Sequence, residues 1–477
     1  MSAIGLPRLR SEVIKQRVAG AFQSRRLLRG RTDMTTIKEL QAEGVEILRF
    51  VFADLNGVQR GKDVAIGRSA HAVSHGKAFV EAVMTIDLRH NIVSGDEGGF
   101  RDFVAIPDLS TARISSLEPD VAQIICSLSE VPSGLPSGLD SRGSVQRIVE
   151  RYVALGYHPV IASELEFYLL ERAADGVGGL RPAPMVDSCV YTAGPLADPT
   201  GIVRRMFDAC EAFGLQPVSC AQEYGHSQYE INLVHGAALE ATDRAFLFKS
   251  LIKQVAAAEG LVATFMGLPV DADECSGFHL HASLNDAAGH NAFDDPASAD
   301  GLAPVAHQFA AGVIAHAPAI AGLLNPTVNA YKRIATGGLA PKFANWGHDN
   351  RLAMLRFCHE RGPATRAEVR SGDGAANPYL ATAAILAAGL DGIERKLELP
   401  PPVVSNFYEG AADFGQPLPT SLGDALDALE ADQTLVDLVG PALVETFLRN
   451  KRYELDRWNA ELLRLTAWEI DEYAERL

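Results

Sequence analysis

The sequence predicts an α+β protein of two unequal domains, a smaller one over residues 35–136 and a larger one over 137–477, behind a basic extension at 1–34. Three features predict this. Glu46–Asp54 alternates like a strand, Leu55-Asn56-Gly57 supplies a turn with glycine where positive φ is allowed, and Val58–Val64 reads as the returning strand. Pro132–Pro136 lies in a Pro/Gly/Ser-rich stretch that reads as a boundary. Beyond it, helical and strand-like segments alternate over a length able to bury a large core.

Taken in order, Thr36–Gly44 reads as a short amphipathic helix, and 65–135 holds short elements between turn signals. Arg142–Leu155, Pro199–Phe213, Ala241–Glu259 and Ala303–Leu324 read as helices, and Pro159–Leu170 as a strand. Ala442–Leu477 reads as helical, with Trp458 and Trp468 packing rather than binding.

Composition excludes several function classes. The formal charge of −17 argues against nucleic-acid binding, and no apolar run reaches the roughly 18 residues that a membrane span requires. Charge is uneven: residues 1–33 carry eight Lys/Arg against Glu12 and Asp33. That start reads as a surface helix or tail, as translation begun upstream of Met34, or as a transit peptide. Six scattered cysteines without a CxxC pair fit a reduced, cytoplasmic protein and indicate no zinc site.

Four segments carry chemistry. On a strand Glu164 and Glu166 share one face, so they form either a polar edge or a pair of carboxylates around a cation. Glu223 lies across a turn from the strand-like run that begins at Glu230. His279 and His281 share a strand face after a glycine turn, as structural histidines or as ligands. Arg333 is followed by Arg351, Arg356, Arg361, Arg366 and Arg370, a solvated basic surface or a grip for phosphates and carboxylates. Within Arg366-Ala367-Glu368-Val369-Arg370, Glu368 reads as opposed to its arginine neighbours in strand direction rather than merely their salt-bridge partner. Together, hard carboxylate oxygens and one imidazole suit Mg²⁺ or Mn²⁺, and the arginines suit phosphoryl oxygens. No GxxxxGK[ST] occurs, so a P-loop is not the nucleotide site.

These residues resemble the glutamine synthetase family. Glu164-x-Glu166, Glu223…Gln228-x-Glu230, Gly277-x-His279-x-His281-x-Ser283, Asn329-x-Tyr331-Lys332-Arg333 and Arg366-x-Glu368-x-Arg370…Asn377-Pro378-Tyr379 follow the family's order and spacing from about Glu46 to the C-terminus. Asp54-Leu55-Asn56-Gly57…Arg60-Gly61-Lys62 and Trp346-Gly347-His348-Asp349-Asn350-Arg351 are similar to the γ-glutamyl–amine ligase branch, such as γ-glutamylputrescine synthetase. The resemblance implies an N-terminal β-grasp domain, a C-terminal catalytic domain with a curved antiparallel sheet, and active sites between subunits of stacked rings, commonly dodecamers. It implies ATP as co-substrate and two or more Mg²⁺ or Mn²⁺ per active site. Glu166, Glu223 and Glu230 would hold one metal, and Glu164, His279 and Glu368 the second. Arg333 and Arg370, with Glu166 and the Cys275 loop, would bind glutamate. Arg351 and Arg356 would face the transferred phosphate, and Arg366, His281 and Ser283, with Arg356, would lie along the nucleotide. Tyr408 sits near where some members are nucleotidylylated, and reads here as a surface-loop tyrosine.

Two departures bear on the amine. Ammonia-using members carry an aspartate in Phe-Asp-Gly-Ser-Ser, where this chain has Phe79-Val80-Glu81-Ala82-Val83. They carry a glutamate six residues beyond the Tyr-Lys-Arg motif, where this chain has Leu339. An apolar wall at Val80 and Leu339 favours a small alkyl or aryl amine over ammonium, because a buried unpaired cation is costly. Glu81, one residue off, keeps a polyamine in play. Cys275 replaces a glycine of the glutamate-contacting loop. A true glutamine synthetase and a catalytically silent relative are the rival readings.

Overall fold

The computed structural model describes residues 36–94, 99–172, 179–183, 190–271, 274–336, 339–404 and 414–474. The basic start, Cys189, the Gly337-Gly338 pair and Tyr408 lie outside them.

The first helix, Ile37–Ala42, is set by a capping box between Thr36 and Glu39. Strand β1 (Ile47–Ala53) pairs antiparallel with β2 (Gln59–Ala65) through the expected turn. Asp54 Oδ1 accepts the amides of Asn56 and Val58, and Gly57 adopts φ +73°. β3 (Lys77–Val80), β4 (Asp102–Pro107), β5 (Arg113–Ile114) and β6 (Val121–Glu130) complete a sheet of order β2-β1-β6-β4-β3. Because β1 runs parallel to β6 and antiparallel to β2, the sheet is mixed, as in a β-grasp. Phe52 meets Phe79 and Phe103 edge-on beneath it.

A second sheet is centred on β7 (His158–Arg172). Its other strands are β8 (Leu180–Pro182), β9 (Pro217–Gln222), β10 (Gln228–Leu233), β11 (Gly236–Ala237), β12 (Val262–Thr264) and β13 (Gly277–Asn285). A short ribbon, β14 (Phe343–Ala344) with β18 (Gln416–Pro417), stands apart from β15 (Trp346–His348), β16 (Leu355–Phe357) and β17 (Ala367–Asp373), which join the main sheet. Its order is β15-β16-β17-β13-β7-β10-β9, antiparallel except for the β15–β16 edge. The helix Pro378–Arg395 is buried from Pro378 to Gly392 and packs on Pro304–Ala315, Ser141–Ala154 and Ala238–Ala258.

The two sheets are joined at the Gly57 turn. A side chain there would meet the Asn377 Cα at 2.9 Å, and Asn377 Nδ2 donates to the Asp54 carbonyl at 3.0 Å. Arg142 adds an ion pair to Asp108 on the first unit and one to Asp243 on the second.

Two helical expectations are corrected. The 303–324 segment is two helices, Pro304–Ala315 and Ala317–Leu324, bent by 74°. Pro318 has no amide to continue the ladder, and His316 is drawn aside to Asp391 and Asp432. The C-terminal helix ends at Leu462 and a second, Ala467–Tyr473, begins at the Thr466–Glu469 capping box. Trp468 is 63% exposed and packs its ring edge-on to Tyr473. Trp458 is half-buried, with Lys332 Nζ 5.1 Å from its ring centre. Among the described residues no single helix is long and apolar enough to cross a membrane; the bent pair passes only when its two helices are taken together, and it is largely buried in the core.

Candidate active site

Strand register builds the site. Glu164 and Glu166 alternate onto one face of β7. β10 sets Glu230 opposite Glu166 and Asn232 opposite Glu164. β13 sets His279 opposite Glu164, β17 sets Glu368 opposite His281, and β16 sets Arg356 opposite Glu368. Five strands thereby gather onto one face side chains that lie about 200 residues apart in the sequence.

Glu164 is the hub. His281 Nε2 stands 2.8 Å from its Oε1, and His279 Nδ1 stands 3.4 Å from its Oε2. Arg366 Nε lies 3.2 Å from His281 Nδ1 on the ring edge away from Glu164. Burial pushes the Glu164 carboxyl upward, but the two histidines outweigh it and hold it well below the usual range. Two groups have ligand atoms mutually within 4.8 Å: Glu164, His281 and Glu368, and Glu164, Glu230 and His279. Glu164 belongs to both, and His281, expected along the nucleotide, joins one of them.

Glu166 is fixed by Gln228 Nε2 at 2.9 Å and by the Gly277 amide at 2.8 Å. Sequence reasoning gave Gln228 no role, although it shares a strand face with Glu230. Glu223 directly follows β9, its amide bonded to the Gln228 carbonyl at 3.0 Å. Burial and the neighbouring carboxylates Glu166 and Glu164 push Glu223 up to about 8. Burial, Glu164 and Glu166 push Glu230 up to about 9. Crowded carboxylates that resist ionising are a donor set short of cations. Hard oxygens beside an imidazole fit Mg²⁺ or Mn²⁺.

The arginines divide. Arg356 donates to Glu368 at 2.7 Å and to Asp349 at 2.9 Å, and Arg370 is ion-paired with Glu368. The expectation that Glu368 opposes its arginine neighbours is therefore overturned: period two places Arg366, Glu368 and Arg370 on one face. Burial pushes Glu368 up, but Arg370 and the two histidines outweigh it and leave it at about 2. Arg333 is 3% exposed and its Nη1 has no partner among the described residues. Arg351 is exposed, its charge felt by Glu223, and its carbonyl accepts from Arg370 Nε.

Arg366, His281 and Ser283 line one cavity of about 490 Å³ that also touches Glu164. A neighbouring cavity of about 390 Å³ shares Val160, His235, Ser283 and Pro363 with it. Cys275 lies against the Arg333 helix, its Sγ 3.5 Å from Thr336 Oγ1 and its carbonyl 3.1 Å from Gln228 Nε2. Val80 ends β3 in the first sheet, and Leu339 lies beyond the helix Val328–Thr336. They are 43% and 45% exposed.

Residues 138–473 match the model of the glutamine synthetase catalytic domain. The chain belongs to the glutamine synthetase family. The glutamine synthetase of Halobacterium salinarum is 31% identical over 453 residues, covering 93% of this chain and 97% of that one. A glutamate–isopropylamine ligase of a Pseudomonas species is 31% identical over 450 residues, covering 91% and 96%. The apo structure of GmaS superimposes with a TM-score of 0.81 at 32% identity, covering 93% of this chain and all of that one. As a ligase of the glutamine synthetase family, the protein is an ATP-dependent, amide-forming enzyme.

Proposed function

We propose that this enzyme joins the γ-carboxyl of glutamate to an amine other than ammonia, with a small alkyl or aryl amine favoured. The observation that carries the reading is the pair of exposed apolar side chains, Val80 and Leu339, at the positions where ammonia-using relatives carry acids. The similarity to a glutamate–isopropylamine ligase supports it. The proposed assembly is stacked rings with active sites between the β-grasp domain (35–136) of one protomer and the catalytic domain (137–477) of a neighbour, probed by the oligomeric mass in solution. We place the enzyme in the cytoplasm.

Arg333, whose Nη1 is buried and uncommitted, grips a carboxylate of glutamate, and Arg370 lies beside it. Arg366, His281 and Ser283 line the nucleotide cavity. Divalent cations held by Glu164, Glu166, Glu223, Glu230, His279 and Glu368 would neutralise the polyphosphate. The γ-carboxylate attacks the γ-phosphorus of ATP, forming γ-glutamyl phosphate and releasing ADP. Arg351 and Arg356 offset charge on the transferred group. The amine nitrogen then attacks the acyl carbon, phosphate leaves with the C–O bonding pair, and the nitrogen loses its proton.

The test is phosphate release with ATP, Mg²⁺ and glutamate across ammonia, putrescine, ethanolamine, isopropylamine and aniline. An alkyl or aryl amine is expected to give the highest kcat/KM; ammonia in first place would sink the reading. Leu339→Glu is expected to move preference toward ammonia, and an unchanged ranking would remove position 339 from the amine pocket. Glutamine formation is the second reading, favoured by the several glutamine synthetases among the similar proteins.

A further inference from the structure

Behind Arg333 lies a charged group for which the mechanism above has no use. Asp373, the last residue of β17, is completely buried. Its Oδ1 accepts the Ala375 amide at 2.7 Å, while its Oδ2 has no hydrogen-bond partner among the described residues. Arg333 is buried nearby and lowers the carboxyl through its charge, and its Nη1 is likewise unpartnered among the described residues.

Gly267 shows how close the two groups are. A Cβ on Gly267 would lie 1.9 Å from Asp373 Oδ2 and 3.2 Å from Arg333 Cδ. Carboxylate, guanidinium stem and Gly267 backbone meet at one point, and only a residue without a side chain leaves Asp373 where it is. The same loop is tied to the helix bearing Arg333: Asn329 Oδ1 accepts the Leu268 amide at 2.9 Å and its Nδ2 donates to the Leu268 carbonyl at 2.8 Å. The other nearby cation, Lys249, is spent on the Ala376 carbonyl at 2.7 Å.

A buried carboxylate with an open oxygen is costly, and so is a buried guanidinium with an open donor. Here the two costs are set against each other through charge. Burial raises the Asp373 carboxyl to about 6, with Arg333 the largest opposing influence. An ion pair serving stability alone would close on itself, as Glu368 does on Arg356 and Arg370. Asp373 and Arg333 do not close in this way: they act on each other through charge without a direct bond, and Arg333 keeps a nitrogen free for another carboxylate.

We infer that Asp373 is a positioning residue for glutamate recognition: with the Gly267 loop it holds and aims the Arg333 guanidinium, so that Nη1 stays available to a carboxylate of the amino acid. The inference rests on the reading that Arg333 grips glutamate.

The test is steady-state kinetics of the full-length enzyme and its Asp373→Asn variant, with glutamate and ATP varied separately. Asparagine keeps the shape and removes the charge. The KM for glutamate is expected to rise about 10-fold or more, with the KM for ATP unchanged and kcat at saturating glutamate within about threefold. Gly267→Ala, which keeps the carboxylate but displaces it, is expected to raise the glutamate KM in the same way, and it decides the matter if Asp373→Asn does not fold. In a double-mutant cycle with Arg333→Lys, the glutamate effects are expected to be non-additive. An unchanged glutamate KM in a folded variant, equal rises for glutamate and ATP, or additive effects with Arg333→Lys would overturn the inference while the ligase reading stood. A wild-type enzyme with no glutamate-dependent ATP turnover would remove both.

Discussion

On the β9–β10 side of Glu164, Glu223 and Glu230 face other carboxylates and are pushed up to about 8 and about 9. On the β16–β17 side, Glu368 is the same residue type on the same face, more deeply buried, and lies at about 2 beneath Arg370 and Arg356. Burial is common to both sides, so the difference is one of neutralisation. One side carries its counter-charge in covalently attached guanidinium groups; the other waits for it from solution. The first pair is the better seat for a divalent cation, while Arg356 and Arg370 are already paired with Glu368.

The contrast breaks most visibly at the residue shared by both candidate metal groups. Glu164→Gln is expected to lower kcat/KM on the order of 100-fold or more; Mn²⁺ is expected to raise the Tm of the parent enzyme and to leave that of the variant unchanged. A variant whose Tm still rises with Mn²⁺ would show that Glu164 is not the hub. The next effect is in protons. Because burial and crowding raise Glu223 and Glu230 to about 8 and about 9, Mg²⁺ or Mn²⁺ binding at pH 7 is expected to release protons, read as a buffer-dependent enthalpy in calorimetry.

Stability sharpens the same comparison. Folded-state values raised above the ordinary 4.5 mean that the folded chain binds more protons than the unfolded one between that pH and about 9. The Tm of the chelator-treated protein is therefore expected to fall as pH rises through this window, and saturating Mg²⁺ is expected to flatten the slope. The smallest effect on activity belongs to a neutralised cluster outside the site. His316, at the 74° bend, places Nδ1 2.5 Å from Asp432 and Nε2 3.0 Å from Asp391. Burial lowers its pKa, but the two carboxylates outweigh it and raise the ring above its ordinary 6.5. Its stabilisation is thus complete below that pH and lost as pH rises through the folded value. His316→Gln is expected to cost about 3 kcal/mol in urea unfolding at pH 6, less at pH 9, with kcat/KM unchanged.

Period two alone brought Glu164 to Glu166 and His279 to His281, and the turn at Gly57 was legible in the same way. What sequence periodicity could not supply was register. That β7 lies between β13 and β10 depends on closures between distant segments, so the sharing of Glu164 between two groups and the entry of His281 into one of them appear only in the folded chain. Glu368 was misjudged although the period that pairs it with Arg366 and Arg370 was in plain view. The break at His316 was marked by Pro318 inside a long apolar run. Asp373 offered little: one acid between two glycines, with nothing to say that it would be buried against Arg333. The positions proposed to face the amine, Val80 and Leu339, were read from likeness to relatives, since each lies on a different unit of the chain.

The seat of the Gly57 turn on Asn377 carries a mechanical consequence. Asn377 caps the helix Pro378–Arg395, its Oδ1 accepting the Tyr379 amide at 3.0 Å, and Tyr379 in turn anchors to Asp243 at 2.7 Å. With no space for even a methyl group at the joint, the smaller sheet cannot rock on the larger one without unseating that helix. The joint is in this respect a stiff bracket, so any relative movement of the two sheets has to displace the Gly57 turn or the Asn377 cap.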